Sequence, residues 1–385
     1  MEIIIWGVDM EFRNLKKQYQ ELKTVIDFNI QEVIQSTNFI SGKQVSELED
    51  RLAKYVGVKH CISCANGTDA LTLALMAWNI GAGDALFVPD FTFFSSGEVV
   101  AYEEAVPIFV DVKEDTFNID PDKLRKAIVK VIKEGKYTPR VIIAVDLFGQ
   151  PAEMEEIRKI ADEYGLLILE DGAQGFGGEI NGKKACSFGD ISTTSFFPAK
   201  PLGCYGDGGA VFTDNDEWAA LISSYRIHGK GSYKYDNVRI GMNSRLDTLQ
   251  AAILLAKLDA FEQYEIKKVN EVSKKYTEEL KTIVKTPVVL EGFLSSWAQY
   301  TIQLKNEEQR DGLQAYLKEH QVPSMIYYPK PMHKQEAFAL CGSNEDELSV
   351  TTELCKKVLA LPMHPYMEED EIMQVVLRVR EYINK

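Results

Sequence analysis

A lysine in a glycine-rich loop is the residue of this sequence best placed for nucleophilic chemistry. A short apolar run, which predicts a strand, breaks at Pro198, and Lys200 follows before a loop with four glycines that ends at Gly209. Burial at a strand end lowers the pKa of an amine, and a neutral amine can attack a carbonyl carbon. The chain holds 43 lysines and arginines, so the alternative is that Lys200 is an ordinary surface lysine. The residues at the ends of the other predicted strands decide between the two interpretations.

A carboxylate follows a second predicted strand. The run 166–170 is almost purely aliphatic, and Asp171 comes directly after it. In an open parallel sheet ligands bind at the carboxyl ends of the strands, where Asp171 could pair with a cationic ring nitrogen. An N-cap of the next helix is the alternative role for this residue.

A third strand end offers a candidate phosphate site. The predicted strand His60–Cys64 is followed by Gly67, which permits a tight turn, and by a helix that opens at Thr68. Free N–H groups at a helix start bind phosphate, and the hydroxyl of Ser195, just before the lysine loop, could add a donor. Capping by Thr68 or Asp69 is the alternative. The glycines of the chain match neither a P-loop nor a dinucleotide fingerprint.

The segment Gly241–Asp247 holds a fourth candidate. Asn243 and Arg245 precede a long predicted helix, where they could bind an anion that belongs to a neighbouring subunit or form a solvated turn. A phosphate site, an acid and a lysine at one edge of a sheet are the parts that a pyridoxal phosphate site needs. The lysine forms a Schiff base, the acid keeps the pyridine nitrogen protonated, and donors hold the phosphate.

The elements that must position these residues alternate between strands and helices. Apolar runs predict strands at residues 60–64, 85–88, 107–112, 141–146, 166–170, 191–197 and 209–213. Aliphatic strands separated by helices indicate a mostly parallel sheet covered by helices on both faces. A long predicted helix from Asp247 toward Leu280 leads to a smaller α+β unit.

The smaller unit is predicted to contain strands at 298–304 and 323–328 and helices near 310–320, 351–359 and 369–383. Long helices of this kind commonly join two domains, so we place the boundary near residue 255. The predicted divisions are an N-terminal extension (1–9), a large domain (10–255) and a small C-terminal domain (256–385).

Composition excludes several classes of partner. The 385 residues are 45% hydrophobic and carry a net charge of −15 without a basic run, which disfavours nucleic acid and anionic membranes. No apolar stretch approaches the roughly 20 residues of a membrane span, and the first nine residues do not predict a signal peptide. Cys61 and Cys64 point to opposite faces of a strand, which predicts core residues in a reducing cytoplasm rather than metal ligands.

A set of long, specific motifs runs through nearly the whole chain from Phe12 onward. They are Ala65–Leu71, Val110–Asp111, Asn118–Asp120, Asp146–Gly149, Glu170–Gln174, Ser195–Lys200, His228–Gly229, Asn243–Asp247 and Gln250–Ala252. With these motifs the sequence resembles the DegT/DnrJ/StrS nucleotide-sugar aminotransferases, which have the type I aspartate aminotransferase fold. Within that family, Phe196–Gly209 and Leu361–Tyr366 are most similar to the branch that acts on UDP-2-acetamido-2-deoxy-3-oxo-glucuronate.

The resemblance implies a role for each candidate residue. Lys200 is similar to the lysine that binds pyridoxal phosphate and shuttles protons, Asp171 to the partner of the pyridinium nitrogen, and Gln174 to the residue beside the 3-hydroxyl. The other cofactor contacts that it implies are ring stacking by Phe93 and phosphate contacts from Gly67, Thr68, Ser195 and, across a homodimer interface, Asn243. Arg245 is similar to the residue that meets a substrate carboxylate across that interface.

Two departures from the family pattern affect the expected site. Gly172 stands where alanine is usual, close to the predicted cofactor. In the predicted substrate-binding pair Tyr327 and Tyr328, the first tyrosine stands where many relatives have histidine. The second departure concerns the sugar more than the amine chemistry.

The activity that the resemblance implies is transfer of the amino group of L-glutamate to a keto-sugar nucleotide by a cytoplasmic homodimer, for bacterial surface polysaccharide biosynthesis. A UDP-linked 3-keto-2-acetamido uronate is the predicted acceptor, because Arg245 could bind its carboxylate. The alternatives are a dTDP- or UDP-linked 3- or 4-keto-6-deoxy sugar as acceptor, a sugar dehydratase, and a regulator that only senses the cofactor or a sugar. In the dehydratases of this fold a histidine replaces the lysine, whereas this chain has Lys200.

Overall fold

A computed structural model describes residues 10–233, 235–341 and 345–385 of the protein. The predicted extension at residues 1–9 lies outside these described residues. The strands, in chain order, are β1 (His60–Cys64), β2 (Asp84–Pro89), β3 (Val106–Val110), β4 (Thr138–Val145), β5 (Leu167–Asp171), β6 (Glu179–Ile180), β7 (Lys183–Lys184), β8 (Ile191–Ser195), β9 (Gly209–Thr213), β10 (Phe293–Leu294), β11 (Tyr300–Gln303) and β12 (Val358–Leu361). The α-helices are α1 (Leu15–Ser36), α2 (Lys43–Val56), α3 (Gly67–Ala77), α4 (Ser95–Tyr102), α5 (Pro121–Glu134), α6 (Met154–Tyr164), α7 (Asp216–Tyr225), α8 (Thr248–Ala260), α9 (Ile266–Leu280), α10 (Glu307–Glu319), α11 (Ser349–Lys357) and α12 (Glu369–Ile383).

A mixed sheet forms the centre of the larger domain. Among the described residues it has seven strands in the order β1-β9-β8-β5-β4-β2-β3. The strands β3, β2, β4, β5 and β8 run parallel to one another, whereas β9 runs antiparallel to both β8 and β1. Most of their residues are buried, as in parallel strands that helices cover on both faces. The predicted mostly parallel α/β sheet is confirmed.

The strand ends that carry the candidate residues meet at one edge of this sheet. Parallel strands place their carboxyl ends together, so β1, β5 and β8 deliver Cys64, Asp171 and Ser195 to the same edge. The antiparallel strand β9 begins at that edge, because Gly209 pairs with both Ser195 and Cys64. The loop that contains Lys200 therefore leaves the edge at the end of β8 and returns to it at the start of β9.

Local sequence sets where α3 begins. The side chain of Asn66 accepts a hydrogen bond from the N–H of Asp69 at 2.8 Å, which makes Asn66 the N-cap. The alternative in which Thr68 or Asp69 caps this helix is therefore wrong. The N–H groups of Gly67 and Thr68 lie in the first turn, where helix geometry leaves N–H groups without an intrahelical acceptor.

The predicted long helix from Asp247 toward Leu280 is present with one irregularity. After α8, the π-helical turn Phe261–Glu265 leads directly into α9, and the residues at both junctions keep helical backbone angles. Phe261 packs in a core beside the large sheet, whereas Val269 packs in the separate core of the C-terminal unit. The helix therefore links two apolar cores, and the domain boundary near residue 255 stays a prediction.

The C-terminal unit differs from the prediction in its strands. β12 pairs antiparallel with β11, although the predicted helix 351–359 ran into its first two residues. The predicted strand 323–328 is wrong, because in the described structure the run makes a single bridge, from Met325 to Ala360. Pro323 has no N–H to donate to a ladder, and the apolar run Val358–Leu361 takes the place beside β11 instead.

The two cysteines of β1 lie on opposite faces of the sheet, as predicted. Cys61 and Cys64 are both buried and pack in different apolar cores. Within the described ranges no three His, Cys, Asp or Glu side chains are arranged to hold a metal ion. Nor does any helix in the described part of the chain have the length and apolarity needed to cross a bilayer.

Candidate active site

Lys200 is half-buried near the start of the loop between β8 and β9. Its N–H donates to the carbonyl oxygen of Phe197 at 2.8 Å, which closes a tight turn around Pro198. Burial lowers the pKa of its amine, the negative charge of Asp171 opposes this effect, and the positive charge of Arg13 adds to it. The predicted lysine is therefore an amine close to Asp171 whose neutral form is favoured by its surroundings.

Asp171 is the last residue of β5 and is buried. Its Oδ2 accepts from the hydroxyl of Ser96 at 2.8 Å, and its Oδ1 accepts from the N–H of Ala173 at 3.2 Å. Burial raises the pKa of the carboxyl, while these two hydrogen bonds and the charge of Lys200 lower it. Each oxygen of this buried carboxylate accepts a hydrogen bond, which favours the charged form. A buried negative charge can then pair with a cationic group.

Ser96 is a site residue that the sequence analysis missed. It lies in the first turn of α4, 75 residues before Asp171 in the chain, and the hydroxyl of Thr92 lies 3.1 Å from its own. The available signal was a run of hydroxyl residues just beyond the end of β2, at the same sheet edge as Asp171. Only the packing of α4 against that edge shows which hydroxyl meets the carboxylate.

A second group of donors lies where the end of β1 approaches the end of β8. The hydroxyls of Thr68 and Ser95 are 2.8 Å apart, and a Cβ at Gly67 would lie 2.7 Å from the Cβ of Ser195. Gly67 thus lets the N-terminus of α3 approach Ser195 closely. Helix N–H groups together with hydroxyls are a donor set that holds phosphate, so the structure brings three predicted phosphate contacts together and adds Ser95.

Gln174 joins the large sheet to the segment that carries Tyr328. Its Nε2 donates to the hydroxyl of Tyr328 at 3.0 Å, and its Oε1 accepts from the N–H of Phe148 at 2.8 Å. The ring of Phe93 lies 6.3 Å from that of Tyr328, measured between centroids, and is 54% exposed. Phe93 therefore keeps a face open for another planar ring.

Tyr327, predicted with Tyr328 to bind substrate, packs against the N-terminal segment. Its ring lies 6.2 Å from that of Phe12 between centroids and 5.7 Å from that of Tyr328. Burial raises the pKa of its phenol, so the side chain offers a neutral hydroxyl. A substrate role for Tyr327 stays a prediction.

Asn243 and Arg245 lie on either side of Ser244, whose hydroxyl accepts a hydrogen bond from the N–H of Ala65 at 3.0 Å. Asn243 is exposed and pairs with Ile227 in a single antiparallel bridge. Arg245 lines a pocket of about 720 Å³ together with His228, and none of the described residues around Lys200 lines that pocket. Within one chain the structure therefore does not bring these two predicted residues to the lysine.

A buried glutamate holds the strand that carries the acid in register. Glu170 points to the opposite face of β5 from Asp171, as alternation along a strand requires. Its carboxylate accepts hydrogen bonds, at 2.6–3.1 Å, from the hydroxyl of Ser192 and the N–H groups of Cys186, Phe188 and Gly189. These bonds tie β5 to the segment that enters β8, and so they fix Asp171 relative to the lysine loop.

Cys186 explains why glycine stands at position 172. A Cβ on Gly172 would collide with the Sγ of Cys186 and would lie 3.0 Å from the carbonyl oxygen of Thr193. We expect Gly172→Ala to lower the free energy of unfolding by about 1–3 kcal/mol, the usual cost of overpacking a core, as measured by urea denaturation. In a Cys186→Ala background the same change should cost much less; an equal loss in both backgrounds would contradict this explanation.

The chemistry of the donor set fits pyridoxal phosphate. Lys200 supplies an amine, Asp171 a buried carboxylate for the ring nitrogen, and Phe93 an open aromatic face. The start of α3, where Gly67 lies close to Ser195 and the hydroxyls of Thr68 and Ser95 meet, suits the phosphate. All of these groups lie on strand ends, loops and helix starts at one edge of the sheet.

Comparisons with known sequences identify the family. The model of the DegT/DnrJ/EryC1/StrS aminotransferase family matches residues 20–380. A UDP-2-acetamido-2-deoxy-3-oxo-D-glucuronate aminotransferase of Pseudomonas aeruginosa is 44% identical over 366 residues, covering 94% of this chain and 97% of that protein. A pleiotropic regulatory protein of Geobacillus stearothermophilus is 40% identical and covers 96% of this chain and 97% of its own.

Solved structures are similar over the same length. A DegT DnrJ EryC1 StrS aminotransferase from Brucella abortus superposes with a TM-score of 0.95 at 45% identity, covering 98% of this chain and 100% of that one. NtdA from Bacillus subtilis, solved with its bound cofactor PMP, has a TM-score of 0.85 at 29% identity and covers 95% and 82%.

The fold and the site define a pyridoxal-phosphate-dependent enzyme of the type I aspartate aminotransferase fold. The chain belongs to the DegT/DnrJ/EryC1/StrS aminotransferase family and is a sugar aminotransferase. The predicted family, fold class and cofactor are confirmed.

Proposed function

We propose that the protein transfers the amino group of L-glutamate to a keto-sugar nucleotide, and that this acceptor is a UDP-linked 3-keto-2-acetamido uronate. The amine chemistry rests on one observation: the half-buried amine of Lys200 lies at the same sheet edge as the buried carboxylate of Asp171 and feels its charge. The choice of acceptor is supported by the name of the Pseudomonas aeruginosa relative. A cytoplasmic location and a role in bacterial surface polysaccharide biosynthesis complete the proposal.

The residues of the site have separate tasks in this reaction. Pyridoxal phosphate, when bound, supplies an electron sink for a carbanion that forms beside the amine nitrogen. Asp171 holds a proton on the ring nitrogen through its negative charge. Lys200 would take a proton from the substrate carbon as a general base and, as a general acid, deliver it to the carbon on the other side of the amine nitrogen. Its lowered pKa favours the neutral amine that the first of these tasks requires.

A second copy of the chain would complete the site. Because Arg245 lines a pocket that does not include Lys200 and Asn243 is exposed in the same segment, we place both residues in the active site of a partner subunit. Asn243 would then contact the phosphate, and Arg245 would meet a carboxylate of either glutamate or the uronate. This arrangement makes the enzyme a homodimer with shared active sites.

A panel of keto-sugar nucleotides offered with L-glutamate tests the acceptor. We expect the 3-keto uronate to gain an amino group, detected by mass, with kcat/KM about 10²-fold or more above that of 6-deoxy analogues, because a site built for a charged group rejects substrates that lack it. Preference for a dTDP- or UDP-linked 3- or 4-keto-6-deoxy sugar would overturn the uronate.

The same panel tests the remaining alternatives. Loss of water without gain of an amine would identify a dehydratase. Cofactor binding without turnover of any acceptor would favour a regulator, the role for which the Geobacillus stearothermophilus relative is named.

A further inference from the structure

The loop that carries Lys200 has no helix or strand of its own. Residues 196–208 connect β8 to β9, and main-chain hydrogen bonds tie their ends: the N–H of Phe196 donates to Gly208 at 2.7 Å, and that of Cys204 donates to Phe196 at 2.8 Å. The carbonyl groups between these ties need other partners.

Helix α8 supplies one such partner from a buried position. Gln250 and Lys257 lie two turns apart on one face of this helix. Gln250 Oε1 accepts from the N–H of Tyr205 at 2.9 Å, and Lys257 Nζ donates to the carbonyl oxygen of Gly203 at 2.7 Å. Lys257 is 1% exposed, and its ammonium lies 4.2 Å from the centre of the Tyr205 ring.

The N-terminal segment supplies the second partner. Arg13 donates from Nη2 to the carbonyl oxygen of Pro201 at 3.2 Å. Arg13 and Lys257, two cations from distant parts of the sequence, thus bind the carbonyl oxygens of Pro201 and Gly203. Pro201 directly follows Lys200 in the chain. The positive charge of Arg13 also lowers the pKa of Lys200.

Glu265 balances both cations. Its Oε1 accepts from Gln18 Nε2 at 2.8 Å and from the hydroxyl of Tyr366 at 2.5 Å. Its charge opposes the effect of burial, which lowers the pKa of Lys257 to about 8 and also lowers the pKa of Arg13. Burying Lys257 and half-burying Arg13 costs folding free energy, so their presence beside the lysine loop points to a task that apolar side chains could not perform.

We propose that Lys257 and Arg13 are positioning residues for Lys200, which hold the two carbonyls of its loop so that the amine faces the cofactor and substrate. Neither residue exchanges a proton with the substrate. The inference rests on Lys200 as the reactive amine of the aminotransferase, and it holds for any sugar acceptor. Phe196–Gly209 and Leu361–Tyr366 are the two segments that most resemble one branch of the family. They meet here, because Tyr366 bonds to Glu265 and Gly203 bonds to Lys257, the cation that Glu265 stabilises.

The test uses Lys257→Met and Arg13→Met in the cofactor-loaded enzyme. A misplacement of about 1 Å can cost 10²-fold in rate, so we expect the glutamate half-reaction to slow by at least about 10-fold in each variant. The visible absorbance of the bound cofactor should change its dependence on pH. Backbone amides of residues 196–206 should exchange with solvent deuterium at least about 10-fold faster, because the loop opens more easily.

Arg310→Met is the matched control. Arg310 is 3% exposed and donates to the carbonyl oxygen of Cys355 at 2.9 Å, but it lies in the C-terminal unit. Its loss should lower stability and leave the half-reaction, the absorbance and the exchange of 196–206 unchanged. The proposal is overturned if folded Lys257→Met and Arg13→Met match wild type in all three readouts.

If Lys257→Met does not fold, Arg13→Met decides alone, because the Arg13 side chain is only half-buried. Failure of the sugar assignment is a separate result. An enzyme that rejects every keto-sugar would still report on the loop through the half-reaction with glutamate and through deuterium exchange.

Discussion

Replacing Lys200 by alanine is expected to abolish amine transfer and, at the same time, the visible absorbance of the purified protein. The absorbance requires a bond between the cofactor and a lysine amine, and the same amine moves the proton in each half of the reaction. Positioned proton transfer typically contributes 10²–10⁴-fold, so turnover should fall by about 10⁴-fold or more. Absorption spectra and product mass measure the two effects.

Lys54→Ala is a suitable control for that variant. Lys54 is exposed on α2, and its loss should change neither spectrum nor turnover. The Lys200 variant should remain folded, because the hydrogen bond that closes its turn comes from the backbone N–H. A Lys200→Ala protein that keeps both the absorbance and the turnover would remove the assignment on which the proposed chemistry depends.

The second large effect is expected for Asp171→Asn. The amide keeps the shape of the carboxyl but cannot hold a proton on the ring nitrogen by its charge, so the electron sink is lost. We expect the rate of the glutamate half-reaction to fall by about 10²–10³-fold, the usual cost of removing a fixed electrostatic group, while the cofactor stays bound. Single-turnover absorbance and cofactor content separate these two quantities.

Ser96→Ala gives a graded version of the same experiment. The hydroxyl that donates to Asp171 Oδ2 lowers the pKa of that carboxyl, so its loss raises the pKa. The carboxylate then forms only at higher pH, and the acidic limb of the kcat/KM profile should move to higher pH with most of the plateau retained. If the acidic limb of the Ser96→Ala profile does not move, and Asp171→Asn carries out the glutamate half-reaction at close to the wild-type rate, then Asp171 does not act on the cofactor.

The parts of the site that sequence reasoning predicted depend on strand direction alone. Lys200, Asp171 and Ser195 each follow an apolar run, and parallel strands bring such positions to one edge whatever their exact register. Ser96 and Glu170 were not predicted to touch anything, because their contacts depend on how α4 packs and on the register between β5 and β8. Asn243 and Arg245 were predicted from their place before a long helix as well as from resemblance, and a single chain does not test them.

The C-terminal unit shows a different limit of sequence reasoning. Val358–Leu361 is an apolar run too short to distinguish a strand from the end of a helix by periodicity. Pairing with Tyr300–Gln303 decides the matter, and that pairing joins segments far apart in the chain. The run 323–328 lies on the other side of β12 from β11, where Met325 makes a single bridge to Ala360.

The place of β9 between β8 and β1 has a consequence for the order in which the enzyme is assembled during synthesis. β1 pairs through His60 with Thr213 of β9, so in the described sheet β1 has no strand partner until the ribosome has released β9. Contacts between such distant segments form late in folding. The phosphate cradle is therefore complete only when the sheet closes, and we expect a nascent chain to retain pyridoxal phosphate only after that step.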